Sequence, residues 1–466
     1  MDTTPVAPAV LDRLVRDSAS RIHFVGVAGT GMSALAHLRA MAGGATSGSD
    51  RSFDRNPSDP ERTRCLKLGI ALYPQDGRGV TGASLVVYST AVEADIPDLA
   101  RARAEGVPMA HRSEWLAALV RSRRAIAVTG TSGKSTTVAM IFEALRAAGM
   151  DPGVVSGGDL ACLRVDGARG NAWAGTGPLV VESDESDKSC ALYEPSMTVL
   201  LNLQRDHHPE AEILEVFREC VRRTKARVLL SPDRALDPLR EGAVTFGDAS
   251  TSLHATSVEL LPDGSRFFFA GIRVTLPVPG AHNVDNAVAA LAVVAELGGD
   301  LRKAAEGLSR FHGVARRFER LGSGNGFEVV DDFAHNAAKL AAAISTAALG
   351  PRRVVAFWQP HGYAPTRNFR KDLVDAFAAS LRAGDVLFLP EIFFAGGTAT
   401  KDISSADLCA DLSARGVDAR YLPDRALFTQ AVRALPRAES LVLVMGARDP
   451  SLGDFARAVA ADLTKN

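Results

Sequence analysis

Cysteine is scarce in this chain of 466 residues, with five dispersed copies (Cys65, Cys162, Cys190, Cys220, Cys409) and no C-x-x-C pair. An odd, scattered set argues against a disulfide framework and against a structural zinc site. Charge of one sign is also lacking: the net charge is -1, so there is no electrostatic footprint for nucleic acid or an anionic membrane surface. The short basic runs 121–124 and 222–227 read as solvated faces. No apolar run reaches the roughly 18 residues that a membrane span needs. The first residues carry Asp2, Asp12, Arg13, Arg16 and Asp17 without a long apolar core, which does not match a secretion signal. Low-complexity tracts and short-period repeats are absent as well. These exclusions leave an enzyme or binding protein of a reducing cytoplasm, with small-molecule partners, no nucleic acid and no membrane.

At roughly 100–200 residues per domain, the length suggests three domains. Hydrophobic residues at 46 % and charged residues at 23 % are ordinary for a globular chain. Strands alternate with helices throughout. Residues 21–27 (RIHFVGV) read as a buried strand entering a glycine turn, with a helix over 32–41, a strand ending at Asp50 and another over 84–89. A second strand-loop-helix unit begins at Arg124, with an apolar strand over 125–128 and a helix over 134–148. Further strands are expected at 179–182 and 198–203, a hairpin at 258–278 and an alanine-rich helix over 283–297. A third segment opens after Phe311-His312-Gly313, with strands at 328–330, 354–357, 386–389 and 441–445. Such alternation predicts parallel sheets with crossover helices. The expected divisions are 1–120, 121–312 and 313–466.

The sharpest motif is Gly130-Thr131-Ser132-Gly133-Lys134-Ser135-Thr136, between a strand and a helix. A glycine turn there aims backbone N–H groups at an anion, and the helix N-terminus adds positive potential. Lys134 would reach the terminal phosphates, and the Ser135 hydroxyl would sit on Mg²⁺. Val128 occupies the first glycine position of the usual phosphate loop. An earlier turn, Gly26-Val27-Ala28-Gly29-Thr30-Gly31, has G-x-x-G-x-G spacing instead of the dinucleotide pattern. It fits a diphosphate on a helix N-terminus, with Asp50 at the next strand end placed to meet a ribose hydroxyl. The bland reading of this turn is close packing of small residues. Downstream, Glu182-Ser183-Asp184-Glu185-Ser186-Asp187 ends one strand, and Asn202-Leu203-Gln204-Arg205-Asp206-His207 ends the next. A carboxylate and a histidine at adjacent strand ends suit a Mg²⁺ beside a nucleotide. Asp184, Glu185 and Asp187 read equally well as a solvated acidic turn.

With these motifs in order, the sequence resembles the Mur ligase family, most closely its alanine-adding branch, over about residues 21–460. Gly29, Thr30, Gly31 and Met32 fall in a stretch that resembles the nucleotide-sugar turn. Gly130 to Thr136 resembles the family's shortened phosphate loop, which accounts for Val128. Glu182 looks like the magnesium glutamate and His207, after Asp206, like the second metal position. His282-Asn283-Val284-Asp285-Asn286 resembles the element that reads the adenine side of ATP, through Asn283 and Asn286. Arg316-Arg317-Phe318 looks like an element whose second arginine, Arg317, faces phosphates. Asp331-Asp332-Phe333-Ala334-His335 is similar to the element that contacts the ATP ribose and the amine, and Gln359-Pro360-His361 to one in the third domain. The resemblance implies an α/β fold of three domains: Rossmann-like, P-loop-type ATPase and Rossmann-like, closing around UDP-sugar, ATP and amine. It implies ATP and Mg²⁺ as cofactors and a monomer or homodimer. It also implies ligation through an acyl phosphate, with Lys134 and Arg317 neutralising charge and His335 acting on the amine.

Three departures cluster in the third segment. Gly362 and Pro365 replace two arginines that the branch carries after its Q-P-H, leaving Arg367 as the remaining guanidinium for a substrate carboxylate, beside His361. Asn336-Ala337-Ala338 stands where the branch has H-P-T. Gly446-Ala447-Arg448-Asp449 stands where it has a G-A-G turn. The ATP elements are intact while the amine elements are not, so the competing reading is a non-catalytic ATP and UDP-sugar binder or a ligase of another carboxylate. A Rossmann oxidoreductase is disfavoured by the glycine spacing.

Overall fold

The computed structural model describes residues 5–186, 188–204, 209–394, 396 and 400–465. The chain divides into two compact units. One comprises residues 1–256, 267–275 and 285–314, and the other 257–266, 276–284 and 315–466.

The first unit holds two sheets, one all parallel and one parallel except for its edge strand Ala172–Trp173, which runs antiparallel to Gly153–Val155. In the N-terminal sheet, Ile22–Val25 lies at the centre, paired with Thr46–Ser49 on one side and Leu85–Tyr88 on the other, with Ala71–Tyr73 and Met109–His111 at the edges. The central strand is buried along its whole length, as a sheet covered on both faces requires. The second sheet has seven strands, and Ala125–Thr129 is again central, between Leu179–Glu182 and Met197–Leu200. Its neighbours' carboxyl ends therefore flank the glycine loop 130–133. One hydrophobic core joins the two sheets: Phe24, Leu35, Trp115 and Val120 pack in the same cluster as Ala125, Leu179 and Val181.

The second unit contains a six-stranded sheet in which Phe327–Asp332, Ser440–Gly446, Arg353–Gln359 and Val386–Pro390 run parallel, in that order. Ser440–Gly446, the last strand in sequence, lies between two earlier ones. That is a topological switch, and the loops at its carboxyl edge are where ligands bind in such sheets. The sheet is covered on its two faces by separate clusters, one around Trp358, Leu340 and Phe377 and one around Phe357, Phe428 and Leu452.

Two expectations change. The segment 258–278 forms three strands, Ala255–Leu261, Gly264–Phe269 and Ile272–Leu276. The hairpin reading rested on Asp263-Gly264, one residue past the turn at Pro262-Asp263, and missed the turn at Ala270-Gly271, where both residues have positive φ. The arginines of 121–124 are also not merely solvated. Arg121 forms a bidentate pair with Asp12, and Arg123 donates to the carbonyls of Gly175 and Gly177 at 2.6 Å. No helix among the described residues is long and apolar enough to cross a membrane, and all five cysteines are free thiols.

His37 in the helix Thr30–Met41 is fully buried, 3.4 Å from Glu61 and 3.5 Å from the Cys65 sulfur. Burial, helped by Arg64 and Arg169, holds its imidazole down to about 3 from the usual 6.5. A histidine whose folded pKa is depressed must shed a proton to fold. Its contribution is present above pH 6.5 and is lost as the pH falls below it. At about 1.4 kcal/mol per unit, folding is expected to lose about 2 kcal/mol to this group by pH 5. His37→Gln is expected to remove that part of the acid sensitivity in urea melts at pH 7.5 and pH 5. An unchanged pH dependence would assign the sensitivity elsewhere.

Candidate functional site

In the first unit, the strand Ala125–Thr129 delivers the chain into a turn that only glycine makes easily. Gly130 has φ 141° and Gly133 φ 83°, and a Cβ on Gly133 would stand 2.7 Å from the Asn286 side-chain oxygen. The helix Lys134–Ala147 starts there with no side chain capping its N-terminus, so its first N–H groups face outward from the loop. Thr131, Ser132 and Thr136 line this turn and the first helical turn. Asn286 accepts a hydrogen bond from the Thr137 hydroxyl at 3.0 Å, which places this predicted ATP-side residue against the loop.

Lys134 folds back over the loop. Its ammonium donates to the Gly130 carbonyl at 2.8 Å and to Glu185 Oε2 at 2.6 Å, with Asp184 at 3.6 Å. Burial alone would lower the lysine pKa, but the Glu185 and Asp184 charges outweigh it and hold it above its ordinary value. Burial pushes the Glu185 carboxyl up, against the pull of Lys134. Glu185 is 4 % exposed, so the solvated-turn reading fails for this residue. Asp187 lies outside the described residues.

Glu182 ends its strand beside the loop. Oε1 accepts from the Ser135 hydroxyl at 2.9 Å, and Oε2 from the Ser156 hydroxyl at 3.0 Å and the Gly157 N–H at 2.8 Å. One hydroxyl and one carboxylate side by side are hard oxygen donors. They suit Mg²⁺, which takes few protein ligands and keeps water and phosphate. His207, the expected further ligand, lies outside the described residues. Among those described, no cluster of three or more acidic, histidine or cysteine side chains forms a closed metal site.

Asn202 was visible in the sequence but given no role, and here it clamps the loop. Its side-chain oxygen accepts from the Ser132 N–H at 2.8 Å and the Thr131 hydroxyl at 2.9 Å, and its amide donates to the Ser132 carbonyl at 3.1 Å. The contact spans 70 residues, and no local pattern announces it.

The N-terminal glycine turn is built similarly. Gly29 precedes the helix Thr30–Met41, again without a side-chain cap. Asp50 serves as its tether: Oδ2 accepts the Ala28 N–H at 2.9 Å, while Oδ1 caps the helix Arg51–Arg55 through Ser52. Both oxygens of the expected ribose partner therefore already have protein donors. Met32 is buried and packs in the core. Gly31 faces a guanidinium, since a Cβ there would stand 3.0 Å from Arg112. Arg112 opens a helix after a strand and was not singled out in the sequence. Arg169 and Asn171 bind the Ala28 and Thr30 carbonyls.

In the second unit, the paired aspartates hold the backbone. Asp331 is fully buried, with Arg316 Nε at 3.1 Å, and burial raises its carboxyl to about 6. Asp332 accepts the N–H groups of Phe318 (2.7 Å) and Ala334 (2.8 Å). Arg316 and Phe318 both have positive φ, and this grip holds them there. Between them Arg317 lies over the Phe333 ring, 5.2 Å from its centroid. Asn283 donates to the Pro279 carbonyl at 2.7 Å. His335 bonds the Phe333 carbonyl through Nδ1 at 2.8 Å. A carbonyl only accepts, so Nδ1 carries a proton. His335 and His361 meet edge to face, 5.5 Å apart, beyond the carboxyl ends of strands that flank Ser440–Gly446. Arg367 pairs with Asp402, and Lys401, not anticipated from sequence, lies 4.6 Å from the Phe394 ring.

Three family models match the chain in order: the Mur ligase catalytic domain over 21–124, the middle domain over 128–294 and the glutamate ligase domain over 316–448. The chain is 34 % identical over 460 residues to the UDP-N-acetylmuramate–L-alanine ligase of Acidithiobacillus ferrooxidans, covering 93 % of this chain and 96 % of that protein. It is 35 % identical over 453 residues to the protein of the same name from Burkholderia cenocepacia, covering 91 % and 95 %. The crystal structure of UDP-N-acetylmuramate-alanine ligase from Thermotoga maritima superposes with a TM-score of 0.76 at 26 % identity, covering 95 % of this chain and 98 % of that one.

The Asn202 clamp predicts that Asn202→Ala loosens the loop. Losing two or three hydrogen bonds of about 1 kcal/mol each should weaken ATP binding roughly tenfold or more in calorimetric titrations. Unaltered affinity would show that the loop holds its shape without the clamp.

Proposed function

The chain belongs to the Mur ligase family, and we propose that it is an ATP-dependent ligase joining the carboxylate of a UDP-N-acetylmuramate-type substrate to an amino acid or peptide. The observation that carries this reading is the grouping of Lys134, Ser135 and Glu182 around one glycine turn at a sheet's carboxyl edge. The five free thiols fit a reducing cytoplasm as its working compartment.

A carboxylate oxygen attacks the γ-phosphorus, the bond to the β,γ-bridging oxygen breaks, and ADP leaves an acyl phosphate. The amine then attacks the acyl carbon, and phosphate departs from the tetrahedral intermediate as the amide forms. The loop N–H groups and Lys134 oppose the charge on the transferred group, and Arg317 is assigned the same task. Ser135 and Glu182 would hold Mg²⁺, which supplies Lewis-acid and template chemistry when bound. His335 Nε2 is the atom assigned to receive the amine proton. Its Nδ1 bond to Phe333 keeps a proton on Nδ1 and fixes the ring. The glycine turn at 26–31 with Arg112 is assigned the diphosphate of the nucleotide sugar. Arg367 is assigned the amine substrate's carboxylate, from which Asp402 must yield it.

The test is phosphate release from ATP with UDP-N-acetylmuramate across a panel of amino acids and short peptides, with product mass recorded. One amine added per phosphate is the expected result. Binding of both nucleotides without turnover on any amine would instead identify a binding protein. On the productive amine, Arg367→Ala is expected to raise KM about tenfold or more and leave the KM for ATP unchanged. Equal changes in both constants would remove Arg367 from the amine site.

A further inference from the structure

The phosphate-loop lysine is already engaged. Both hydrogen-bonded partners of the Lys134 ammonium are groups of this chain, the Gly130 carbonyl and the buried Glu185 carboxylate. The lysine side chain is 13 % exposed and Glu185 4 %, so the pair is largely shielded from water. Glu185 sits three residues beyond Glu182, and residues 183–186 form neither helix nor strand. That loop is secured by the Lys188 N–H on the Glu185 carbonyl (3.1 Å) and ends in the single 3-10 turn Ser189–Leu192. Lys188 has φ 59°, an uncommon backbone state for a lysine and one that bends the loop back.

We propose that Glu185 is a positioning residue that holds the Lys134 ammonium over the phosphate loop and is exchanged for the terminal phosphates of the nucleotide when it binds. This assignment rests on the ATP-ligase reading above. A buried ammonium without an anion is costly, and the Glu185 carboxylate supplies that anion here. A carboxylate also loses to a polyphosphate, which brings more charge and can use the loop N–H groups as well. The exchange keeps the lysine aimed at the loop before binding and lowers the apparent nucleotide affinity by the cost of breaking the pair. Asp184, at 3.6 Å and half exposed, is the secondary partner. The freed carboxylate then lies beside the loop that carries Glu182.

The experiment measures ATP and AMP binding to the full chain for wild type, Glu185→Gln, Lys134→Ala and the double variant. Glutamine keeps the shape and an acceptor oxygen but removes the charge. Glu185→Gln is expected to tighten ATP roughly three- to tenfold and leave AMP, which lacks the terminal phosphates, unchanged. In the Lys134→Ala background the same substitution is expected to have no effect on ATP, because the exchange requires the lysine. Three outcomes overturn the assignment: no tightening, equal changes for ATP and AMP, or equal tightening with and without Lys134. The last would mean direct repulsion of phosphate by Glu185. A wild type that binds ATP no better than AMP, with Lys134→Ala unaltered, would overturn the ATP-ligase reading itself.

Discussion

A charge taken out of water must be answered by another, and that constraint organises the nucleotide loop. Lys134 is buried because a lysine at the first position of a helix, behind a glycine turn, folds back over the turn. The Glu185 carboxylate answers it, and to do so the segment after Glu182 turns back toward the helix. That turn leaves Glu182 at its strand end facing Ser135, with its other oxygen taken by Ser156 and Gly157. Asn202 closes the opposite side from the other flanking strand. The two flanking strand ends thus converge on one loop, and each brings a polar side chain, Glu182 or Asn202, whose position follows from the central placement of Ala125–Thr129.

The same logic serves a different end in the second unit. Asp331 and Asp332 end a buried strand, and each is committed to the backbone or to Arg316. A carboxylate that accepts two backbone N–H groups can hold a neighbouring residue in a conformation that costs on the order of 1–3 kcal/mol. Arg316 and Phe318 are held in that way, and the residue between them, Arg317, is presented over Phe333. The acidic pair therefore shapes the segment that carries the arginine.

The parallel sheets, the glycine turns and their helices were legible because each is written in a few neighbouring residues. A buried β run, a glycine and an uncapped helix start suffice to locate Ala125–Thr129 and Lys134–Ala147 within a residue. The contacts that complete the site were not legible. Asn202 reaches Ser132 across 70 positions, and Arg112 reaches Gly31 across 81. Their side chains are common polar types in unremarkable surroundings, and only the strand order brings them together. Glu185 failed for the opposite reason. An acidic run looks solvated by composition, and its burial depends on a lysine 51 residues earlier. The second turn of the meander, at Ala270-Gly271, escaped because one of its two positive-φ residues is alanine.

On the proposed assignment of the amine side, Gly362 and Pro365, which stand where the resembled branch has arginines, are neighbours in one turn. Gly362 has φ 80° and ψ 132°, where an arginine would carry backbone strain, and its missing Cβ would stand 3.3 Å from the Pro365 ring. Pro365 is tolerated because it falls in the first turn of Tyr363–Asn368, where no intrahelical N–H bond is lost. A side chain at 362 would therefore meet both an unfavourable backbone conformation and the Pro365 ring. Two cations described in this region are Arg367, on Asp402, and Lys401, beside the Phe394 and Tyr363 rings. A guanidinium recognises a carboxylate as a fork, whereas an ammonium does so as a point charge. On that assignment, the loss of two forks leaves Arg367 as the remaining fork, with the Lys401 point charge nearby, a less directional receptor for a carboxylate. The phosphate loop and its clamp are unaffected by that change, because every group that shapes them lies in the other unit. On the proposed assignment, the groups for nucleotide chemistry and those for amine choice are separate sets of residues, and the departures from the resembled branch fall in the second.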